Sequence, residues 1–323
     1  MSGEDSIKMM NATLLGCSGT APNKHSPLTS LFLKTDMGAV LVDCGEGTQV
    51  AIMESKRKIQ DITAICITHH HGDHVLGLPG LLVTMNQTLV EAGRKKALVI
   101  IAPLAAKDVV LHLISAVAVY NVYIRFIWLK DDVETIYLPG LDIAAVRLVH
   151  SVDCYGYAFT CYKNGKLSFE RAGECAVTQE QWSLLQRGYT ILTDKGKFTA
   201  DSLSDENRKS LKICYATDTQ PCDGLRVLAQ DANLAVLEGM YPTSGMSARG
   251  GDANHLTFEE AARIAKDAGS KELWLTHFSP AVSRPDRYIS AATEIFPNAK
   301  CGFRGLSREM EVSNVQDKKA EGN

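Results

Sequence analysis

The chain lacks any apolar run long enough to span a bilayer. Its opening residues, Met1-Ser2-Gly3-Glu4-Asp5, lack the basic stretch and apolar core of a secretory signal. Both absences point to a cytoplasmic protein with no membrane partner. Nine cysteines (Cys17, Cys44, Cys66, Cys154, Cys161, Cys175, Cys214, Cys222, Cys301) are scattered, odd in number and mostly set in apolar runs, with no Cys-x-x-Cys pair to suggest a cysteine-ligated zinc. They read as free core thiols in a reducing compartment. An excess of positive charge is missing too, since 34 Lys and Arg stand against 37 Asp and Glu. Any grip on a polynucleotide must then come from a local patch. There is no low-complexity tract and no repeat of fixed period. With 45% hydrophobic and 22% charged residues, the 323-residue chain is that of a soluble globular protein, long enough for one large two-layered domain or two ordinary ones.

What is present is concentrated in Thr68-His69-His70-His71-Gly72-Asp73-His74, where four potential metal ligands (His69, His71, Asp73, His74) fall within six positions. They follow the apolar, β-leaning run Ala64 to Ile67, so they sit where a buried strand runs out into a loop, with Gly72 expected to let the backbone turn tightly. Imidazole suits Zn²⁺ and a carboxylate can bridge or hold a second cation. Two metals about 3.5–4 Å apart polarise a phosphoryl group while generating hydroxide. A solvated His-rich loop would bind metal only adventitiously. Three further strand-like runs argue against that reading: Val146 to Val149 leads into His150, Ile213 to Ala216 into Asp218, and Leu273 to Leu275 into His277. Ligands at strand ends on one rim of a layered sheet can converge though distant in sequence.

Alternating or apolar runs predict strands at Asn11 to Gly16, Leu31 to Lys34, Ala39 to Val42, Lys95 to Ile101, Val122 to Leu129, Tyr155 to Tyr162 and Leu234 to Leu237. Helices are expected from Thr48 to about Lys58, from Gly77, from Ala105 to Tyr120, from Asp223 to Gln230 and from Thr257 to Asp267, the last stopped by Gly269. The helix opening at Gly77 would turn its unpaired N–H groups toward the metal site and favour an anion. Glycines in Asp43-Cys44-Gly45-Glu46-Gly47 permit a sharp turn, and Asp43 is a candidate to accept the second N–H of a ligand imidazole. His25, His70 and His112 read as packing or surface residues. Strand-helix alternation in both halves predicts an α/β fold of two mixed sheets flanked by helices. Residues 1–315 form one domain in this reading, with an insertion at about 163–210 and a frayed tail at 316–323. A short helix at Thr178 to Leu185, capped by Thr178, is expected inside the insertion.

The pattern His69-x-His71-x-Asp73-His74, followed by His150, Asp218 and His277, resembles the metallo-β-lactamase superfamily, whose fold is an αββα sandwich and whose rim binds two zinc ions. Asp43 to Gln49, Thr68 to Leu82, Asp218 to Asp223 and Leu275 to Pro280 are similar to the ribonuclease Z branch, which trims the 3′ trailer from precursor tRNA. The resemblance covers nearly the whole chain, and the length is that of the short form, a homodimer. It implies His69, His71 and His150 on one Zn²⁺, Asp73, His74 and His277 on the other, and Asp218 between them. It also implies that Asp73 orients or deprotonates the attacking water. Where the family has His-Glu-Ala-Thr and His-Ser-Thr segments, this chain has Leu237-Glu238-Gly239-Met240 and His255-Leu256-Thr257. Glu238 and His255 then remain as the pair that protonates the leaving 3′-oxygen. The family's Gly-Pro-rich, tRNA-clamping arm has no such motif here: Lys163 to Ser210 offers Lys163, Lys166, Arg171, Arg187, Lys195 and Lys197 among many acids.

The expected activity is metal-assisted phosphodiester hydrolysis by a two-zinc endonuclease of precursor tRNA, the same ligands also accepting Mn²⁺ or Fe²⁺. Two alternatives stand beside it. One is a hydrolase of small phosphodiesters or sulfate esters on the same site; the other is a silent paralogue that binds RNA or a protein. Arg249, beside Gly250-Gly251, is a further candidate for a phosphate contact.

Overall fold

Residues whose side chains alternate between two apolar surroundings build the sheets, and the strand ends build the site. The computed structural model describes residues 9–23, 26–162, 169–186, 190–199, 202–203, 210–245 and 254–312. One sheet contains β1 (Met9–Gly16), β2 (Ser30–Thr35), β3 (Gly38–Val42), β4 (Ile62–Cys66), β5 (Lys96–Pro103) and β6 (Val122–Leu129). The second contains β7 (Val133–Leu138), β8 (Leu141–Leu148), β9 (Cys154–Tyr162), β12 (Ser210–Ala216), β13 (Leu234–Glu238), β14 (Leu273–Thr276) and β15 (Ala299–Cys301), in the spatial order β15-β14-β13-β12-β9-β8-β7. Between β9 and β12 a separate hairpin pairs β10 (Ile191–Thr193) with β11 (Gly196–Phe198). The last strand, β16 (Ser307–Glu311), returns to the first sheet antiparallel to β1.

Both sheets are mixed. In the first, β3 to β6 run parallel; in the second, β12 to β15 do. Period-two alternation sends Val40, Val42, Ala64 and Cys66 into the core shared with the second sheet. It sends Ala39, Leu41 and Ile65 outward against helices α1 (Thr48–Glu54), α3 (Leu78–Glu91) and α4 (Lys107–Ser115), where Ile62 joins them beside a register irregularity at the start of β4. A single turn, α2 (Gly72–Val75), precedes α3. The second sheet is covered by α7 (Asp223–Ala229) and α8 (Phe258–Asp267), whose Leu225, Leu228, Phe258 and Ala262 join its core. Thr257 caps α8 with the reciprocal bonds of a capping box to Glu260. This is the anticipated two-sheet α/β architecture.

Several boundaries differ from the sequence expectation. Helix α1 ends at Glu54 because Lys56 takes a left-handed turn at φ 55°, and α4 stops at Ser115 well short of Tyr120. Strands β7, β15 and β16 were not anticipated. In β16 only Met310 is buried among Ser307, Arg308, Glu309 and Glu311, so an edge strand carries almost no apolar signal.

The insertion holds α5 (Phe169–Glu174), α6 (Gln179–Gln186) and the β10–β11 hairpin around a small cluster of Ala172, Leu185, Ile191 and Leu203. Thr178 caps α6 as expected: its Oγ1 accepts the Gln181 N–H at 3.2 Å and its own N–H is donated to Gln181 Oε1 at 3.0 Å. Ser210 pairs with Tyr162, so the insertion leaves the sheet at the far end of β9 and β12 from His150 and Asp218. Lys197 Nζ lies 4.4 Å above the ring of Tyr137 on the edge strand β7. His25, Lys163, Lys166, Arg187, Arg249 and the tail at 316–323 lie outside the described residues. No helix among the described residues is long and apolar enough to cross a membrane.

Candidate metal centre

Strands β3, β4, β8, β12, β13 and β14 all deliver a polar residue to one rim, respectively Asp43, His69, His150, Asp218, Glu238 and His277. Asp43, Asp218 and His277 break their strands in the left-handed region, at φ 58°, 56° and 57°. For residues with a Cβ this conformation costs roughly 1–2 kcal/mol each, so tertiary contacts must hold it. Beyond β4 the ligand run forms a helical turn instead of an open loop: His71 precedes α2, which contains Asp73 and His74. Gly72 opens this turn without a positive φ. Glycine is required instead where backbones meet. A Cβ on Gly45 would lie 2.1 Å from the Asp73 carbonyl oxygen, and one on Gly77 2.0 Å from that of Gly45. The Gly77 N–H is donated to Cys44 O at 2.8 Å, which ties the head of α3 to this loop.

Two groups of donors converge. In the first, His71 Nδ1 lies 2.9 Å from His69 Nε2 and 3.4 Å from His150 Nε2. In the second, Asp73 Oδ2 lies 3.4 Å from His74 Nε2 and 3.5 Å from His277 Nε2. Asp218 stands between them: its Oδ2 is 3.1 Å from His74 Nε2 and 3.2 Å from His277 Nε2, while its Oδ1 is 4.0 Å from His150 Nε2. All seven sequence-chosen donors are therefore gathered, in sets with mutual spacings within 4.8 Å. His74 Nε2, His277 Nε2 and Asp218 Oδ2 are buried and make no hydrogen bond. Buried polar atoms without partners are costly, and three converging lone-pair donors fit a divalent cation.

A layer of carboxylates orients these imidazoles. Asp43, fully buried, accepts from His74 Nδ1 at 2.8 Å, from the Thr68 N–H at 2.8 Å and from the Thr68 hydroxyl at 3.0 Å. Thr68 Oγ1 in turn lies 3.0 Å from His69 Nδ1. Glu238, also fully buried, meets His255 Nδ1 at 2.5 Å and His277 Nδ1 at 3.0 Å through Oε1. Its Oε2 accepts the N–H groups of Thr219 and Leu256. Sequence reasoning linked Glu238 to His255 but missed the bond to His277. The signal is a tertiary one, the parallel register that sets Glu238 opposite Thr276. It also missed Thr20, whose N–H donates to Asp73 Oδ2 at 2.9 Å.

Proton affinities divide along the same lines. Burial, reinforced by neighbouring histidines, lowers His69, His71 and His150, keeping them neutral with a lone pair to offer. Burial opposes charge on His74 and His277 as well. There the carboxylates win: Asp43 and Asp218 raise His74, while Asp218, Asp73 and Glu238 raise His277 to about 10. Asp218 is held below the usual carboxylate range against its burial, chiefly by His277 and His74. A cation entering this group takes over the charge balance those protons supply. His70 belongs to none of the donor sets, and His112 is exposed with Nδ1 2.6 Å from Asp108 O on its own helix.

Residues 10–194 match the family model described as Anti-Pycsar protein Apyc1. Ribonuclease Z from Lachnoclostridium phytofermentans is 40% identical over 94% of this chain and 98% of its own. Ribonuclease Z from Clostridium acetobutylicum is 37% identical over 96% and 100%. Among solved structures, human tRNase Z, short form, aligns with a TM-score of 0.64 at 22% identity over 92% of this chain and 98% of that one. The metallo-β-lactamase fold protein YhfI from Bacillus subtilis aligns at 0.65 and 19% identity over 94% and 100%. The sandwich of two mixed sheets is thus a metallo-β-lactamase fold.

Proposed function

Since the chain belongs to the ribonuclease Z family and carries the domain that the Apyc1 family describes, we propose that it is a metal-dependent endoribonuclease that removes the 3′ trailer from precursor tRNA. In this reading His69, His71 and His150 hold one cation, Asp73, His74 and His277 the other, and Asp218 is shared. Two Zn²⁺ suit the donors, which also accept Mn²⁺ or Fe²⁺. When bound, the cations supply hydroxide near neutral pH and positive charge for the phosphoryl oxygens.

The protein's own side chains do the rest. Asp73, whose Oδ2 is held by the Thr20 N–H, orients or deprotonates the attacking water. His255, gripped at Nδ1 by Glu238, gives a proton to the leaving 3′-oxygen. Burial disfavours that proton, but the bond and charge of Glu238 outweigh it and raise the His255 pKa, as a general acid requires.

The observation that carries the reading is the convergence of the orphaned atoms of His74, His277 and Asp218. A second observation favours a macromolecular substrate over a small phosphodiester or sulfate ester. The insertion leaves the sheet at Tyr162, at the opposite end of β9 from Cys154 near the rim. At about 3.3 Å per residue the two ends of β9 are roughly 26 Å apart. The described part of the insertion rests on Tyr137 near that same end of the sheet, which supports a substrate long enough to touch both it and the metal centre.

Exposed Val50 and Met53 on α1, with Val83 and Val90 on α3, make the outer helical layer a surface for a homodimer. The free cysteines suit the cytoplasm.

Assaying precursor tRNA and bis(p-nitrophenyl) phosphate side by side, with added Zn²⁺ or Mn²⁺, tests the proposal. Cleavage of the precursor at the trailer junction supports it. Hydrolysis of the small ester alone selects the small-substrate enzyme, and no turnover of either selects the silent binding protein.

A further inference from the structure

Beside the cation site lies a cleft of about 450 Å³ that the proposed chemistry does not use. This volume falls within the few hundred to about 1,000 Å³ common for ligand sites. Its walls come from the loop after β1, the loop after His277 and the loop between β15 and β16, with Pro22, Pro280, Val282, Phe303 and Arg304 among its lining. The first two loops are zipped together, the Gly19 N–H donating to Phe278 O at 2.9 Å and the Phe278 N–H to Cys17 O at 2.8 Å.

That zipper joins the cleft to the metal centre. A Cβ on Gly19 would lie 2.9 Å from Cε1 of His277, so the loop backbone rests on this imidazole. One residue later Thr20 holds Asp73, and the next two, Ala21 and Pro22, are already cleft wall.

The lining has the character of a site for one unpaired nucleotide. No acidic side chain lines it among the described residues, although acids outnumber bases in the chain. Phe303 is 60% exposed at its side, a large aromatic face open to solvent. Arg304 follows, its Nη2 held 2.8 Å from Glu54 Oε2. An exposed ring for stacking beside a guanidinium for phosphate is the pairing that single-stranded nucleic acid favours. Arg304 is the one charged residue of the lining, and its pairing with Glu54 fixes the guanidinium at the rim.

Its place in the fold gives direction. The insertion touches the second sheet at β7, whereas Gly302 to Arg304 follow β15, and β7 and β15 are opposite edges of that sheet with the metal centre between. If the body of the RNA lies toward the insertion, the strand crossing the site leaves on the β15 side. We infer that the cleft at Phe303 and Arg304 is the subsite for the first trailer nucleotide, its base stacked on Phe303 and its phosphate met by Arg304. This inference rests on the endonuclease reading above.

Three substrates separate the two claims: a precursor tRNA, the same precursor with an abasic first trailer residue, and bis(p-nitrophenyl) phosphate. Phe303→Ala should lower kcat/KM on the precursor, relative to that on the small ester, roughly tenfold and mainly through KM. Phe303→Trp should restore it. The abasic precursor should show the same loss with the unsubstituted enzyme and no further loss with Phe303→Ala. Additive losses, equal losses on both substrate types, or no loss with Phe303→Ala would overturn the subsite while leaving the endonuclease reading intact. Failure of the unsubstituted enzyme to cut the precursor would overturn both.

Discussion

Glu238 Oε1 lies 2.5 Å from Nδ1 of His255 and 3.0 Å from Nδ1 of His277, so one buried carboxylate anchors both the proposed acid and a proposed metal ligand. The next ring nitrogen of His277 faces Asp73 and Asp218. Metal holding and proton donation are therefore joined at a single residue, and the predictions below separate them.

Glu238→Gln keeps the shape but removes the charge. Loss of a carboxylate behind a metal-binding imidazole typically costs about 10–100-fold in metal affinity or activity. We expect a drop of that size in Zn²⁺ affinity, read by competition with a chromogenic chelator, along with a fall in kcat. Unchanged affinity would separate Glu238 from the metal group.

His255→Ala should depress kcat with little change in KM, because the residue acts on the leaving oxygen and not on ground-state binding. The pH dependence has a definite sign. An acid works while protonated, so activity is present below its pKa and fades as pH rises through it. Burial lowers the His255 pKa and Glu238 raises it to a net increase. Glu238→Gln should therefore move the basic limb of the kcat profile to lower pH. A limb that stays put, measured at saturating metal, would assign the proton donor elsewhere.

Removing metal should abolish hydrolysis and lower the melting temperature, since a ligand bound only by the native state stabilises it by mass action. Restoring Zn²⁺ or Mn²⁺ should reverse both effects. Elemental analysis of the reconstituted protein should give about two ions per chain if both donor groups fill. Asp218→Ala, lying between the groups, should reduce that number. A native protein that takes up no transition metal would contradict the assignment of the site.

Asp43→Asn is a sharp test of the oriented layer, because asparagine tolerates the left-handed backbone at φ 58°. What changes is acceptor capacity and charge. Asp43 serves two donors of Thr68 as well as His74 Nδ1, all buried. Leaving one buried donor unmatched costs roughly 1–3 kcal/mol, more when a charge is involved. Urea unfolding should show a midpoint shift of that order, and a shift under about 0.5 kcal/mol would show that water replaces the bonds.

Much of this was legible in the chain itself. His69, His71, Asp73, His74, His150, Asp218 and His277 lie just beyond short apolar runs, and such runs become strands whose ends share a rim. The cap at Thr178 was equally readable, since a cap depends on side chains three positions apart. Strand β16 was not, because it is an edge strand with one buried residue and its pairing with β1 lies nearly 300 positions away.

The sequence by itself determined which atoms are available for chemistry and where strands deliver them, because ligand identity and two-residue periodicity are local properties. Tertiary structure alone decided the rest. Parallel pairing of β13 with β14 sets Glu238 beside His277, and the approach of Gly45 to Asp73 excludes any side chain there. The insertion departs from the far end of β9, and the loops around Phe303 open a cleft beside the metal centre. Such relations arise from packing between residues remote along the chain, and no spacing within a short stretch encodes them.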